Sequence, residues 1–217
     1  SLYIAAVLAA KDDDEKSYND VYARLKDDNY KIDGSLHSAV LVLFGETENF
    51  NTSTETKAGQ SFVIPTDRVT KLKINDFYTL TDTGSDTKNV YCKVIINYRE
   101  SPSVLVYSKG KISQFIAAIG NTDDDSHLES VEWDTDCSNC GSEFCMDGFC
   151  SYDIKDYGGE TCDDARKGND EACGLILYIG WKGKAKGKYL KSYRSLPSQF
   201  SKYSFKGQFM DSAAEFE

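Results

Sequence analysis

The sequence is poor in proline, methionine and histidine, with three, two and two of them among 217 residues. Its two histidines, His37 and His127, stand in unrelated contexts. No Gly-x-Ser-x-Gly elbow, Walker A loop, dinucleotide fingerprint or His-Glu-x-x-His helix accompanies them. Nothing therefore marks a catalytic residue, and the reading is of a non-enzymatic chain. Positive charge is also scarce: 25 Lys and Arg against 35 Asp and Glu leave a net charge of −10. That balance excludes the basic footprint that nucleic acid demands and argues against anionic membrane surfaces. Long apolar runs are missing too. The longest, at Leu2–Ala10, falls well short of the roughly 20 residues that span a bilayer as a helix. The acidic clusters Asp123-Asp124-Asp125 and Asp134/Asp136 do not follow EF-hand spacing, since Cys145 stands where counting from Asp134 requires Glu. They read as solvated loops, and no metal is expected.

What the chain does have suits strands. Val, Ile, Tyr, Phe and Thr are abundant, with 14 Tyr and 11 Phe, and these residues fit pleated, half-buried surfaces. Apolar runs at 39–44, 61–64, 69–74, 90–98 and 104–107 are each bounded by Gly, Asn, Asp, Ser or Pro. The pattern predicts an all-β or mainly β fold. Residues 112–119 suit either a strand or a helical turn. Residues 17–28 carry Tyr18, Val21, Tyr22 and Leu25 at helical spacing behind Ser17, although their side chains would equally serve a strand.

A short internal similarity suggests two tandem β-sandwich-like domains. Cys92-Lys-Val-Ile-Ile-Asn-Tyr98 parallels Cys173-Gly-Leu-Ile-Leu-Tyr-Ile179, Leu105 parallels Leu190, and Ser113-Gln-Phe115 recurs as Ser198-Gln-Phe200. The extra residues of the second copy fall in the loop Lys182–Gly187, where insertions are tolerated. On this reading, residues 1–33 form an apolar arm and linker, 34–120 a first β domain, and 127–217 a second. The second would carry a cysteine-rich insert at 137–173.

Six of the seven cysteines fall between 137 and 173. Cys137, Cys140, Cys145 and Cys150 share the spacing of a zinc knuckle, which four thiolates would fill. Glu143 and Asp147 stand between them, where knuckles that grip nucleic acid carry basic residues. The run also resembles the Cys-Gly-x-x-Phe-Cys-x-x-Gly-x-Cys modules of secreted proteins, a resemblance that implies oxidised cysteines. With Cys162 and Cys173, three bridges among 15 pairings are available. Disulfides are the favoured reading, with zinc the alternative. Cys92 is left over, a small buried hydrophobe or an intermolecular partner. Asn51-Thr-Ser53 is the glycosylation sequon and sits in a polar segment, so covalent glycan is the one non-protein group expected. Trp133 and Trp181 read as core residues, with a sugar-stacking platform as the competing use.

The opening segment is the remaining feature. The chain begins on Ser rather than Met, as a processed product would, and its first run resembles the end of a secretory h-region. It also suits a strand or short helix of its own domain. Extended, Leu2, Ile4, Ala6 and Leu8 face one way, and Tyr3, Ala5, Val7 and Ala9 the other. Apolar character on both faces fits a strand covered on both sides. Burying about five of these side chains in a neighbour contributes on the order of 8–12 kcal/mol before ordering costs. An apolar arm, a polar linker and β-sandwich domains resemble, in architecture, donor-strand filament subunits. That resemblance implies a secreted, glycosylated, extracellular structural subunit whose partners are copies of itself in a helical or linear homopolymer. The alternative is a monomeric secreted module that binds carbohydrate or protein.

Overall fold

The computed structural model describes residues 31–33, 37–74, 88–168 and 172–197. The apolar arm Leu2–Ala9, the 17–28 segment and Ser198-Gln-Phe200 lie outside these described residues.

The apolar runs become strands, and the fold is mainly β with a disulfide-rich region. One sheet is built from β1 (His37–Gly45), β2 (Ala58–Pro65), β4 (Asn89–Ile96), β5 (Arg99–Glu100), β6 (Val104–Ser108), β7 (Lys111–Ser113), β10 (Cys145–Met146) and β11 (Phe149–Asp153). Its order is β10-β11-β7-β6-β4-β1-β2, with β5 added on β4. The other contains β3 (Thr70–Ile74), β8 (Phe115–Thr122), β9 (Leu128–Trp133), β12 (Leu175–Ala185) and β13 (Lys188–Leu190). Its order is β13-β12-β8-β9, with β3 also pairing β12. The ambiguous 112–119 stretch resolves into β7 and β8, which Gln114 separates.

Inward side chains of both sheets meet in one core. Val40, Val42 and Phe44 of β1 and Val90, Cys92, Val94 and Ile96 of β4 join Leu175, Leu177, Ile179 and Trp181 of β12 there. The opposite face of β1 and β4 carries a second, smaller cluster of Leu41, Leu43, Ile95 and Phe50. This explains why β1 is buried on both faces from Ser38 onward. Phe50 belongs to the loop between β1 and β2 and lies directly over Gly45, where a Cβ would come within 2.3 Å of its ring. Lys93 fastens that loop by donating to the Phe50 carbonyl at 2.8 Å and to the Glu100 carboxylate at 2.7 Å.

The strand order does not follow the expected division at 120–127. β3 and β8, from the first half, pair with β12 of the second. β11, from the cysteine-rich insert, pairs with β7 and extends the first sheet. The 8–12 pairing is parallel, and parallel neighbours need a long crossover. Residues 123–174 supply it and carry β9 and the insert on the way. The expected arm boundary shifts as well. Ile32 is buried and its N–H donates to the Ser126 carbonyl at 2.6 Å, while Lys31 bridges His127. Residues 31–33 thus belong to the folded body.

The internal similarity maps onto the two central strands, β4 and β12, whose apolar residues fill the shared core. It stops there. Asn97 turns the chain with φ +48°, while the matching Tyr178 continues in β12. Leu105 pairs opposite Tyr91, but Leu190 pairs opposite Gly183. Equal burial accounts for the likeness without a shared hairpin register.

Candidate functional site: an unguarded sheet edge beside a stapled module

Open edges are where a sheet can recruit another chain, and natural proteins blunt them with charge, proline, bulges or brevity. Most edges here are blunted. At β9, the Leu128 N–H donates to the Tyr98 hydroxyl at 2.9 Å and its carbonyl accepts from Arg99 Nε at 2.9 Å. Glu129 and Glu132 stand exposed on the same strand. β3 presents the exposed Lys71 and Lys73, and β13 is three residues long and carries Lys188. β10 is two residues long and held by a disulfide at Cys145.

β2 differs. Ala58-Gly-Gln-Ser-Phe-Val-Ile-Pro65 contains no charged side chain. Its register with β1 runs without a bulge from His37↔Pro65 to Phe44↔Ala58. Among the described residues its other side has no strand partner. All its side chains but Ile64 are only half-buried. Among the described residues, Pro65 at the far end is the one blunting feature of this strand.

The other end of the same sheet is the cysteine module. The bridges are Cys137–Cys145, Cys140–Cys150 and Cys162–Cys173. The Sγ atoms of Cys137, Cys140 and Cys150 lie within 4.8 Å of one another. They are already joined in the two crossed bridges, so the knuckle spacing serves disulfides in this structure. The module is fastened to the sheet by more than β11. The Asp147 carboxylate accepts from Leu105 N–H at 2.7 Å, Lys111 Nζ donates to the Glu143 carbonyl at 2.6 Å, and Phe149 meets Trp133 edge-on at 5.9 Å. Cys92 is unpaired and fully buried, and burial pushes its thiol well above the ordinary range.

Asn51 is exposed on the loop that Lys93 anchors. Its side-chain oxygen accepts from the Ser53 N–H at 2.9 Å and the Ser53 hydroxyl at 2.6 Å. These bonds leave out the side-chain nitrogen, the atom N-glycosylation uses. The acidic turns have local work. Asp123 accepts from His127 N–H at 2.8 Å, which holds its carboxyl below the usual range, and Asp124 pairs with Lys184 at 2.7 Å. Trp181 is completely buried beneath Gly120. Trp133 is half-buried and donates its indole N–H to the Pro102 carbonyl at 2.8 Å. A sugar platform on Trp181 therefore has no exposed ring face.

Sequence reasoning missed the β2 edge and the Lys93–Phe50 clamp. The one signal for the clamp was a lone Phe inside a polar loop. The edge had none, because edge position depends on strand order.

A family model described as "Uncharacterised protein DDB_G0273449" matches residues 111–211. The matched stretch starts at β7 and takes in β8, the cysteine module and the β12–β13 hairpin. No curated protein and no solved structure matches the chain.

Proposed function

We propose that this chain is a secreted, non-catalytic structural subunit that assembles with copies of itself into an extracellular filament. The apolar segment Leu2–Ala9 of one subunit adds as a strand to β2 of the next. One observation carries the reading: β2 is the long, uncharged, regularly paired edge of an otherwise guarded set, and it ends the sheet among the described residues. Its eight residues equal the length of the arm. Backbone hydrogen bonds along such an edge supply affinity, and alternate side chains select the register. Because donor arm and acceptor edge are different surfaces, the contact is heterologous and propagates. Three disulfides support an oxidising compartment. No helix among the described residues is long and apolar enough to cross a membrane. The geometry at Asn51 supports a glycan there.

Deleting residues 1–10 is the test. The expected product is folded, with its three bridges intact, and no longer polymerises in electron micrographs or light scattering. Adding a Leu2–Ala9 peptide to the truncated chain should occupy β2 and raise its thermal midpoint. Filaments that persist after truncation overturn the mechanism. A monodisperse monomer with the arm intact overturns it in favour of the secreted binding module.

A further inference from the structure

Four cysteines of the stapled module crowd their sulfurs together. The Sγ atoms of Cys137, Cys140 and Cys150 lie within 4.8 Å of one another, and that of Cys145 is bonded to Cys137. A thiolate released from one bridge is therefore in reach of the other, and thiolates attack disulfide sulfurs. The bridges differ in access. Cys145 is exposed and Cys137, Cys140 and Cys150 are half-buried, whereas Cys162 and Cys173 of the third bridge are each 1% exposed. Exposed bridges are the labile ones.

A second pairing fits the same backbone. Cys145 and Cys150 stand opposite each other in the β10–β11 hairpin, where facing Cα atoms lie about 4.5–5.5 Å apart. Cys137 and Cys140 close a turn, the Cys140 N–H donating to the Cys137 carbonyl at 3.3 Å. Such a turn brings its end Cα atoms within about 7 Å. Both separations overlap the roughly 4.4–6.8 Å that a disulfide spans. Crossed pairs (137–145 with 140–150) and uncrossed pairs (137–140 with 145–150) thus suit one scaffold. The bonds from Asp147 to Leu105 and from Lys111 to Glu143 hold that scaffold to the first sheet without any cysteine.

We propose that the module is a thiol–disulfide exchange site, which takes a soluble thiol at Cys145 and converts the crossed pairing to the uncrossed one. The incoming thiolate attacks the Cys145 Sγ, and the Cys137 sulfur leaves as a thiolate. Cys137 then attacks the Sγ of Cys140, the bond to Cys150 breaks, and the Cys150 sulfur carries the charge. Cys150 finally attacks the sulfur of Cys145 opposite it and expels the thiol as its thiolate. Each step forms one S–S bond and breaks one, so the cycle consumes neither oxidant nor reductant. Exposure directs the first attack, and the crowding of the half-buried sulfurs directs the rest. Cys92 is fully buried in the core, so the attacking thiol comes from outside the chain. Glu143 and Asp147 are exposed on either side of Cys145 in the chain and outnumber Lys111, which favours a thiol without negative charge. The uncrossed product unties the 137–140 turn from the hairpin. The site needs neither the arm nor β2.

The test treats the full chain with a catalytic amount of cysteamine, quenches with acid and cleaves after glutamate without reduction. Cleavage at Glu132, Glu143 and Glu160 leaves peptides 133–143 and 144–160. Crossed bridges hold these two together, and uncrossed bridges let them separate in the mass spectrum. The expected result is separated peptides that grow in with time, while Cys162–Cys173 exchanges at least about tenfold more slowly. A chain carrying both Cys140→Ser and Cys150→Ser lacks the second bridge, so its reaction should stop at a cysteamine adduct on Cys145. Three results overturn the proposal: peptides joined at every time point, equal exchange of the buried bridge, or an adduct on Cys137 in the double variant. Should that variant fail to fold, the time course of the unaltered chain decides alone. Truncating residues 1–10 should leave the exchange rate unchanged, which separates its failure from that of the arm.

Discussion

Single side chains settle local questions that composition leaves open. Lys93 is a charged residue 8% exposed, a placement that costs heavily unless the ammonium is satisfied. The Phe50 carbonyl and Glu100 satisfy it, and the ring of Phe50 lies 5.0 Å below. Tyr152 is the corresponding case among the phenols. It packs 4.7 Å from Tyr157, and its hydroxyl accepts from the Cys173 N–H at 2.9 Å. Burial pushes its pKa from 10.0 up to about 12. The folded chain therefore holds this proton more tightly than the unfolded chain does. The associated stability is complete below pH 10 and is lost as pH rises toward about 12. Urea midpoints measured from pH 9 upward should fall through that window, and fall less steeply for Tyr152→Phe. The same variant should lose about 1 kcal/mol at neutral pH, from the unpaired Cys173 N–H. Identical pH slopes for the two proteins would refute this assignment.

Among the elements, the segment between β11 and β12 is least able to stand alone. Its helix α1 (Cys162–Gly168) has seven residues, too few for a stable isolated helix. Thr161 caps it by accepting from Asp164 N–H at 3.2 Å, and Lys167 pairs with Asp164 at 2.7 Å, but such exposed contacts contribute little. The Cys162–Cys173 bridge, with a separation of 11, ties the helix to the start of β12. Closing a loop of that size stabilises by about 3 kcal/mol in the chain-entropy model. Replacing both cysteines with alanine should lower the denaturation free energy by about that amount while the far-ultraviolet strand signal persists. A loss below about 1 kcal/mol would mean that packing of the buried Ala165 and Ala172 already holds the segment. The runs that became β1, β2, β3, β4 and β6 were legible because each is a short stretch rich in apolar and β-branched residues that ends at turn residues. β4 stops at Ile96, before the predicted end at Tyr98, because Asn97 adopts a left-handed turn.

For the molecule as a whole, the interleaving of halves has a direct thermodynamic consequence. β12 is flanked by β3 and β8, and β7 carries β11, so neither half completes a sheet alone. Heating should give a single transition, with calorimetric and van't Hoff enthalpies in agreement. A fragment of residues 127–217 should be unfolded by circular dichroism, since its central strand β12 would lose β3 and β8 and keep only the three-residue β13. Two resolved transitions, or a folded fragment, would restore the tandem-domain reading.

The sequence by itself determined the strand class, the apolar faces of the individual strands, the set of cysteines that oxidise and the exposure of the sequon loop. These are local properties, written in alternation, turn residues and spacing. Only the tertiary structure decided which cysteines pair, that the insert extends the first sheet, that Trp181 is inaccessible, and which strand ends the first sheet among the described residues. Those depend on contacts between segments far apart in the chain. Two apolar strands such as β4 and β12 look alike in sequence yet sit at the centres of different sheets, because burial constrains side-chain type and says nothing of neighbours.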